Sequence, residues 1–195
     1  MLEKIREIRA SERRFYLKVT DLYSQASIDY DSNSEITKTF FAKVQNKWLF
    51  GIAGKTAAEI ISTRANHEEE NMGLTSWKAS PEGKIIKSDV IVSKNYLSKK
   101  EIKSLDRIVS MYLDYAESQA EKNISMTMTD WASKLDAFLE FNELDILNDP
   151  GKVTKKFADQ LAIGEYEKFR VLQDKTFEND FEKQIKKAFD YYCLG

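Results

Sequence analysis

The 195-residue sequence contains one cysteine, Cys193, and one histidine, His67. A single cysteine cannot form an internal disulfide, so a disulfide-stapled secreted scaffold is excluded. One histidine and one cysteine also supply too few ligands for a structural zinc site. We therefore predict no bound metal and no other cofactor.

The sequence also lacks long hydrophobic runs and an excess of charge of one sign. Its longest uncharged stretches, such as 48–54, fall far short of the roughly 18 apolar residues that a membrane span needs. The charged start, 1–9, has no apolar region of the kind found in signal peptides. Thirty Lys and Arg residues against 32 Asp and Glu give a net charge of −2, which excludes capture of nucleic acid by overall positive charge. We predict a cytoplasmic protein without membrane contact.

Hydrophobic periodicity predicts an all-α fold, mainly a helical bundle. Apolar residues recur at three- and four-residue steps, and Ser or Thr followed three residues later by Glu or Asp marks several helix starts. We expect one helical domain over 1–195, in which 1–26 is a linker helix from a preceding module. The predicted helices cover 2–26, 32–49, 56–65, 98–122, 127–146 and 154–192, with breaks after 49 at Gly51 and Gly54 and a candidate division at Gly164.

The stretch around 66–97 is the least regular part of the sequence. It is rich in turn-forming residues, which predict an ordered irregular loop. The β-branched pairs and triplets at 85–86 and 90–92 leave two alternatives open, a short β-hairpin or a buried loop. We favour the loop.

Known catalytic patterns are missing. Gly54-Lys55-Thr56 ends like a phosphate-binding loop, but Leu49 stands where that motif needs its first glycine. No nucleophile elbow, zinc-protease helix or calcium loop occurs. His67 lies in an acidic loop and is interpreted as a solvated surface residue.

Charge is distributed unevenly along the chain. The stretch 84–107 contains seven basic and three acidic residues, whereas 108–149 contains two basic and nine acidic residues. These blocks are either solvated helix faces or opposed patches that select a partner. Within them, Arg107 and Asp114 share one helix face and are two turns apart. They either anchor the irregular segment or border a ligand site.

Several motifs in one order resemble a known family. The motifs are Val44–Lys47, Gly54–Glu59, Asn71–Lys78, Lys94–Leu97, Arg107–Glu117, Met126–Trp131 and Lys134–Asn142. They closely resemble the C-terminal portion of the RhuM family of bacterial virulence-associated proteins. The resemblance implies a bacterial protein of mobile elements or pathogenicity islands, often near toxin–antitoxin-like genes, whose DNA contact would lie in a region N-terminal to this part.

The resemblance brings no established catalytic set, so catalytic residues stay unknown. It implies only the motif positions at which a binding site should lie. These candidates are Lys55, Arg64, Asn71, Thr75, Trp77, Lys87, Asp89, Lys94, Asn95, Arg107 and Asp114.

Two functions are compatible with these residues. The first is a helical interaction or effector module that binds a protein partner or a second copy of itself. The alternative is a toxin-like enzyme acting on nucleic acid or nucleotide. Its site would lie where 71–96 meets the Arg107–Asp114 face, with Asp89 or Asp114 as a base or metal ligand.

Overall fold

The computed structural model describes residues 15–33, 35–122 and 124–177. Over these residues the protein is all-α, as predicted. Each of the described helices is too short or too polar to cross a bilayer. The α-helices are α1 (Phe15–Ala26), α2 (Glu35–Ala53), α3 (Ala57–Arg64), α4 (Lys87–Val90), α5 (Lys99–Glu121), α6 (Met128–Phe141) and α7 (Lys155–Thr176), with 3₁₀ turns at Glu70–Gly73 and Ser93–Tyr96.

The helix starts follow from capping chemistry. At α5 the Glu101 N–H donates to Ser98 Oγ over 3.2 Å, and the Ser98 N–H donates back to the Glu101 carboxylate over 2.8 Å. Thr127 forms the same reciprocal box with the third residue of α6. Such boxes satisfy N–H groups that have no partner inside the helix. The predicted starts of α5 and α6 are confirmed, whereas α2 begins later than expected, at Glu35.

Two predicted breaks are wrong. α2 continues through Gly51, where a β-carbon would meet only ordinary contacts, and ends before Gly54, whose φ is +64°. α7 is not divided at Gly164, because helical geometry tolerates a glycine there. The predicted helical ranges 2–14 and 178–192 lie outside the described residues.

α6 ends at Phe141, five residues before the predicted end at Ile146. The Asn142 side-chain amide donates to the Phe138 carbonyl over 2.7 Å. The next residue, Glu143, has a φ of +57°, which turns the chain away from the helix. Asn142 therefore ends the helix by competing for its last carbonyl groups.

Aromatic side chains fill the space between α1, α2, α5 and α6. Tyr23, Trp48, Tyr112 and Trp131 are at most 3% exposed. Tyr112 is the centre of this cluster, with ring centroids 5.4 Å from Trp48 and 6.3 Å from Trp131. We call these four residues the aromatic cluster.

The segment 66–97, which we call the crossing segment, runs from α3 to α5 and packs with α3 against α7. It is ordered and irregular, as predicted, but it contains no strand. The hairpin alternative is wrong, because 87–90 form the helical turn α4 and 93–96 a 3₁₀ turn. The Asp89 carboxylate accepts the Ile86 N–H over 2.9 Å, which favours a helical turn over an extended strand.

Candidate functional site

Polar side chains of the crossing segment bind its own backbone. Thr75 Oγ1 donates to the Leu97 carbonyl over 2.6 Å, and Asn95 Nδ2 donates to the Asp89 carbonyl over 2.9 Å. Tyr96, which is 1% exposed, donates its hydroxyl to the Val90 carbonyl over 2.8 Å. These bonds replace the backbone pairing that a helix or sheet would provide. They fix the irregular path of the chain.

Asp89 is used in the same way. Asp89 is only 5% exposed. Its two carboxylate oxygens accept the Ile86 N–H over 2.9 Å and the Lys78 N–H over 3.2 Å. A buried carboxylate is tolerated when backbone donors compensate the lost hydration. The geometry therefore gives Asp89 a structural use that joins two turns of the crossing segment.

Arg64 connects α3, the crossing segment and α5. Its guanidinium donates to both Glu101 carboxylate oxygens over 2.6 and 2.8 Å, and to the Tyr96 carbonyl over 2.7 Å. The Arg64 hydrogen bonds lower the pKa of Glu101 to about 2, and the same bonds raise the pKa of Arg64. A two-bond pairing of this kind fixes direction as well as distance. Arg64 therefore holds α3, the crossing segment and α5 together.

A cleft opens between the crossing segment and the C-terminal half of α7. Its volume is about 390 Å³, and it is open to solvent. Among its described lining residues, the one titratable side chain is Glu82. The lining residues are Asn71, Trp77, Pro81, Glu82, Gly83, Ile85, Phe169, Leu172, Gln173, Thr176 and Phe177.

Hydrogen bonds hold the cleft walls in place. The Trp77 indole N–H donates to the Gly83 carbonyl over 2.6 Å, which fixes the ring. The Gln173 amide both accepts the Ile85 N–H over 2.8 Å and donates to the Ile85 carbonyl over 3.1 Å. Gln173 thus joins α7 to the crossing segment as a neighbouring strand would. The cleft is therefore preformed.

The turn beside the cleft has an unusual backbone. Asn71, Met72 and Gly73 all have left-handed φ angles, of 51°, 60° and 78°. A β-carbon at Gly73 would lie 2.2 Å from the Arg64 carbonyl oxygen, so only glycine fits there. Met72, in the middle of this turn, is fully buried. Left-handed non-glycine residues are uncommon and often occur at functional sites.

The structure adds a pair that sequence reasoning missed. His67 is not simply solvated: its Nδ1 lies 2.5 Å from Glu165 Oε2, which also accepts the His67 N–H over 2.9 Å. Lys168 donates to the other Glu165 oxygen over 2.7 Å. These donors, led by the His67 N–H, lower the pKa of Glu165 to about 2. The two partners are 98 residues apart, and no local signal in the sequence links them.

The His67–Glu165 pair is close to the cleft. Glu165 lies one helical turn before Phe169, which lines the cleft, so the two positions are about 6 Å apart along α7. Asn71, four residues after His67, also lines the cleft. The pair and the cleft therefore belong to one region of the surface.

The eleven predicted residues separate into three groups. Asn71 and Trp77 line the cleft, and Arg64, Thr75, Asp89 and Asn95 form the network that holds the crossing segment. The cleft faces α7 and not the predicted α5 face, and Glu101 is the residue that connects α5 to the network. The last group, Lys55, Lys87, Lys94, Arg107 and Asp114, lies outside the cleft lining, with Lys87, Arg107 and Asp114 exposed.

A family model decides the relationship of this chain to other proteins. The model of the Virulence protein RhuM family matches residues 1–178. The chain belongs to this family. No curated protein and no solved structure matches the RhuM-family chain. The family assignment supports an association with virulence, as the family's name states. That name specifies no activity, so the chemistry of the site is inferred from its geometry.

Proposed function

We propose that this RhuM-family chain is a helical interaction module whose cleft binds an apolar or aromatic side chain of a protein partner. The observation that carries the proposal is the composition of the cleft: aromatic and aliphatic side chains, together with amide and hydroxyl groups and the carboxylate of Glu82. Pockets with this mixture of apolar surface and a few polar groups are typical binding sites. We place this activity in the bacterial cytoplasm.

The rigidity of the cleft supports binding. Trp77 and Gln173 are fixed by hydrogen bonds to the backbone, so a ligand would not have to order them. A site whose walls are already ordered loses less entropy when a partner binds. The exposed apolar surface on the rim, with Leu172 53% exposed, is available to such a partner.

Two neighbouring residues of α7 offer a matched test. Leu172 lines the cleft, whereas Val171 does not, and the two are 53% and 52% exposed. Peptides selected from a display library against the full chain provide the probe. We expect Leu172→Glu to weaken their binding by at least about tenfold and Val171→Glu by less than about twofold, since only Leu172 would be desolvated by the bound side chain.

The readout is fluorescence anisotropy with labelled peptides, and circular dichroism checks that both variants keep their helices. Equal binding to the two variants would contradict the proposal. So would a library that yields no aromatic or aliphatic consensus.

A second candidate function is favoured by the His67–Glu165 pair. A carboxylate that orients Nδ1 of an imidazole leaves Nε2 directed elsewhere, which is an arrangement used for general bases. We therefore keep as an alternative a toxin-like enzyme acting on nucleotide or nucleic acid beside the cleft. Growth arrest on expression that is lost in His67→Asn but kept in Glu68→Ala would favour it. Equal growth arrest with both variants would exclude this role for His67.

A further inference from the structure

Phe141, at the C-terminal end of α6, is the most exposed large hydrophobic side chain among the residues that the structure describes. It is 85% exposed, although a phenyl ring gains free energy when it leaves water. Ala137, one turn earlier on the same helix face, is exposed as well. Single exposed apolar residues are common on proteins, so what matters is how firmly the chain presents this one.

Hydrogen bonds at the end of α6 fix the backbone beside Phe141. The Leu144 N–H donates to the Leu139 carbonyl over 3.0 Å. The Glu143 N–H donates to the Glu140 carbonyl over 2.9 Å. Together these bonds form a Schellman motif, whose left-handed residue is usually glycine but is here Glu143, with a φ of +57°. The helix end therefore holds the ring's backbone in one conformation, at some cost in strain.

The exposed phenylalanine and the cleft are at opposite ends of the molecule. α6 ends beside the C-terminal end of α2, where Leu144 lies against Gly51. α3 follows α2 directly, and its Glu59 carboxylate accepts the Lys152 N–H over 2.8 Å, just before α7 begins. From its first residue to the cleft wall at Gln173, α7 then extends about 27 Å. One copy therefore cannot place its own ring in its own cleft.

We propose that the cleft of one copy of this chain binds the Phe141 side chain of a second copy. This contact depends on the proposed function of the cleft and identifies the partner as the chain itself. Trp77, Phe169 and Phe177 line the cleft, and a phenyl ring that enters it packs against other rings. Because the ring and the cleft are at opposite ends, the contact is head-to-tail, and each assembly keeps a free ring and a free cleft.

Exposed charges beside the ring and beside the cleft favour one orientation of this contact. Glu140 and Glu143 are close to the ring in sequence, and Lys175 lies one helical turn from Leu172 on the flank of the cleft. Among the described residues, no ion pair or hydrogen bond engages the side chains of Glu140, Glu143 or Lys175. The carboxylate of Glu82 is on the other wall, in the crossing segment. The carboxylates beside the ring are therefore drawn to the α7 side.

Sedimentation velocity of the full chain tests the proposal at concentrations up to about 1 mM, since an interface built around one ring is small and weak. We expect assemblies larger than a dimer as the concentration rises, because head-to-tail contacts form open chains or rings. A monomer at every concentration, or a plateau at the dimer, would overturn the proposal.

Variants on both sides of the contact have matched controls. Phe141→Ala and Leu172→Glu should each lower the association constant by at least about tenfold, because one removes the ring and the other puts a charge in the cleft wall. Phe157→Ala removes another exposed phenylalanine, and Val171→Glu adds the same charge outside the cleft lining. Both controls should change the constant by less than about twofold. Circular dichroism checks that all four variants are folded.

A mixture of two variants identifies the contact directly. Phe141→Ala keeps its cleft and Leu172→Glu keeps its ring, so two unlike copies form one contact and no further copy adds. An equimolar mixture should therefore contain one-to-one dimers, although each variant alone is monomeric. A mixture that stays monomeric would overturn the proposal.

The peptides selected for the cleft keep this proposal separate from the proposed function. Peptides that distinguish Leu172→Glu from Val171→Glu support side-chain binding in the cleft, and at saturation they should dissociate the assemblies. If such peptides bind but Phe141→Ala associates normally, the second copy is overturned as the partner and the proposed function stands. Association lost in Phe141→Ala but kept in Leu172→Glu would also overturn it, because the ring would then bind outside the cleft.

Discussion

The aromatic cluster and the crossing segment are stabilised by different forces. The cluster buries large rings at edge-to-face angles, such as the 75° between Trp48 and Tyr112. The crossing segment is held by side chains that hydrogen-bond to backbone groups, as Asp89 does. Burial of apolar area is not directional, whereas a hydrogen bond fixes a particular path. The molecule thus uses packing for stability and polar groups for an irregular shape.

The few polar atoms inside the aromatic cluster confirm this contrast. Burial raises the pKa of the Tyr23 and Tyr112 hydroxyls. Tyr112 donates to the Trp131 carbonyl over 2.9 Å, so its hydroxyl is satisfied within the cluster. The indole N–H groups of Trp48 and Trp131, in contrast, are buried without a hydrogen-bond partner, so packing and not hydrogen bonding holds this cluster together.

Removing a ring from the aromatic cluster should have the largest effect. Trp131 is fully buried, so Trp131→Ala should lower the free energy of unfolding by about 3–5 kcal/mol through lost burial and a cavity. Urea denaturation measures this change. Phe141→Ala, at a side chain 85% exposed on the same helix, should stay within about 0.5 kcal/mol. Similar losses in both variants would contradict the role given to the cluster.

Removing a polar group from the crossing segment should have a smaller and more local effect. Asp89→Ala leaves the Ile86 and Lys78 N–H groups without their acceptor, so we expect a loss of about 2 kcal/mol. Hydrogen exchange should accelerate first at these two amides. Asp106→Ala, at an exposed position of α5, is the control. Uniform acceleration over the whole chain would contradict a local role for Asp89.

The pH dependence of stability sharpens the comparison further. Arg64 holds the pKa of Glu101 at about 2, below its value in the unfolded chain. The resulting stability is present above about pH 4.5 and is lost as the pH falls towards 2, because the unfolded chain then binds the proton more readily. At a pair that is partly solvated this contribution is about 1 kcal/mol. Glu101→Gln should reduce the pH dependence of the free energy of unfolding over that range, measured by urea titrations at several pH values. An unchanged slope of this free energy against pH would contradict the prediction.

The regular helices could be predicted from the sequence, because capping and periodicity are local signals. Ser98 with Glu101 fixed the start of α5 in the prediction and in the structure. The predicted end of α6, at Ile146, lies beyond the observed end, because the hydrogen bond from the Asn142 side chain to the Phe138 carbonyl was not recognised in the sequence. The hairpin alternative misread β-branched residues as strand formers, whereas the Asp89 carboxylate favours a turn.

The candidate site was predictable only in part. Asn71 and Trp77 belong to motifs of the sequence, and both line the cleft. The opposite wall comes from α7, where Gln173 meets Ile85 across 88 residues. His67 and Glu165 are related in the same long-range way. Contacts of this kind depend on how helices pack, and no spacing along the chain encodes them.

The paired bonds between Gln173 and Ile85 have a consequence for selectivity. They set the width of the opening between α7 and the loop that faces it. A side chain wider than this opening would have to break both hydrogen bonds before it entered. A much narrower side chain would leave part of the cleft unfilled. The cleft should therefore select side chains by their size, because its opening is held at a fixed width and does not adjust to each ligand.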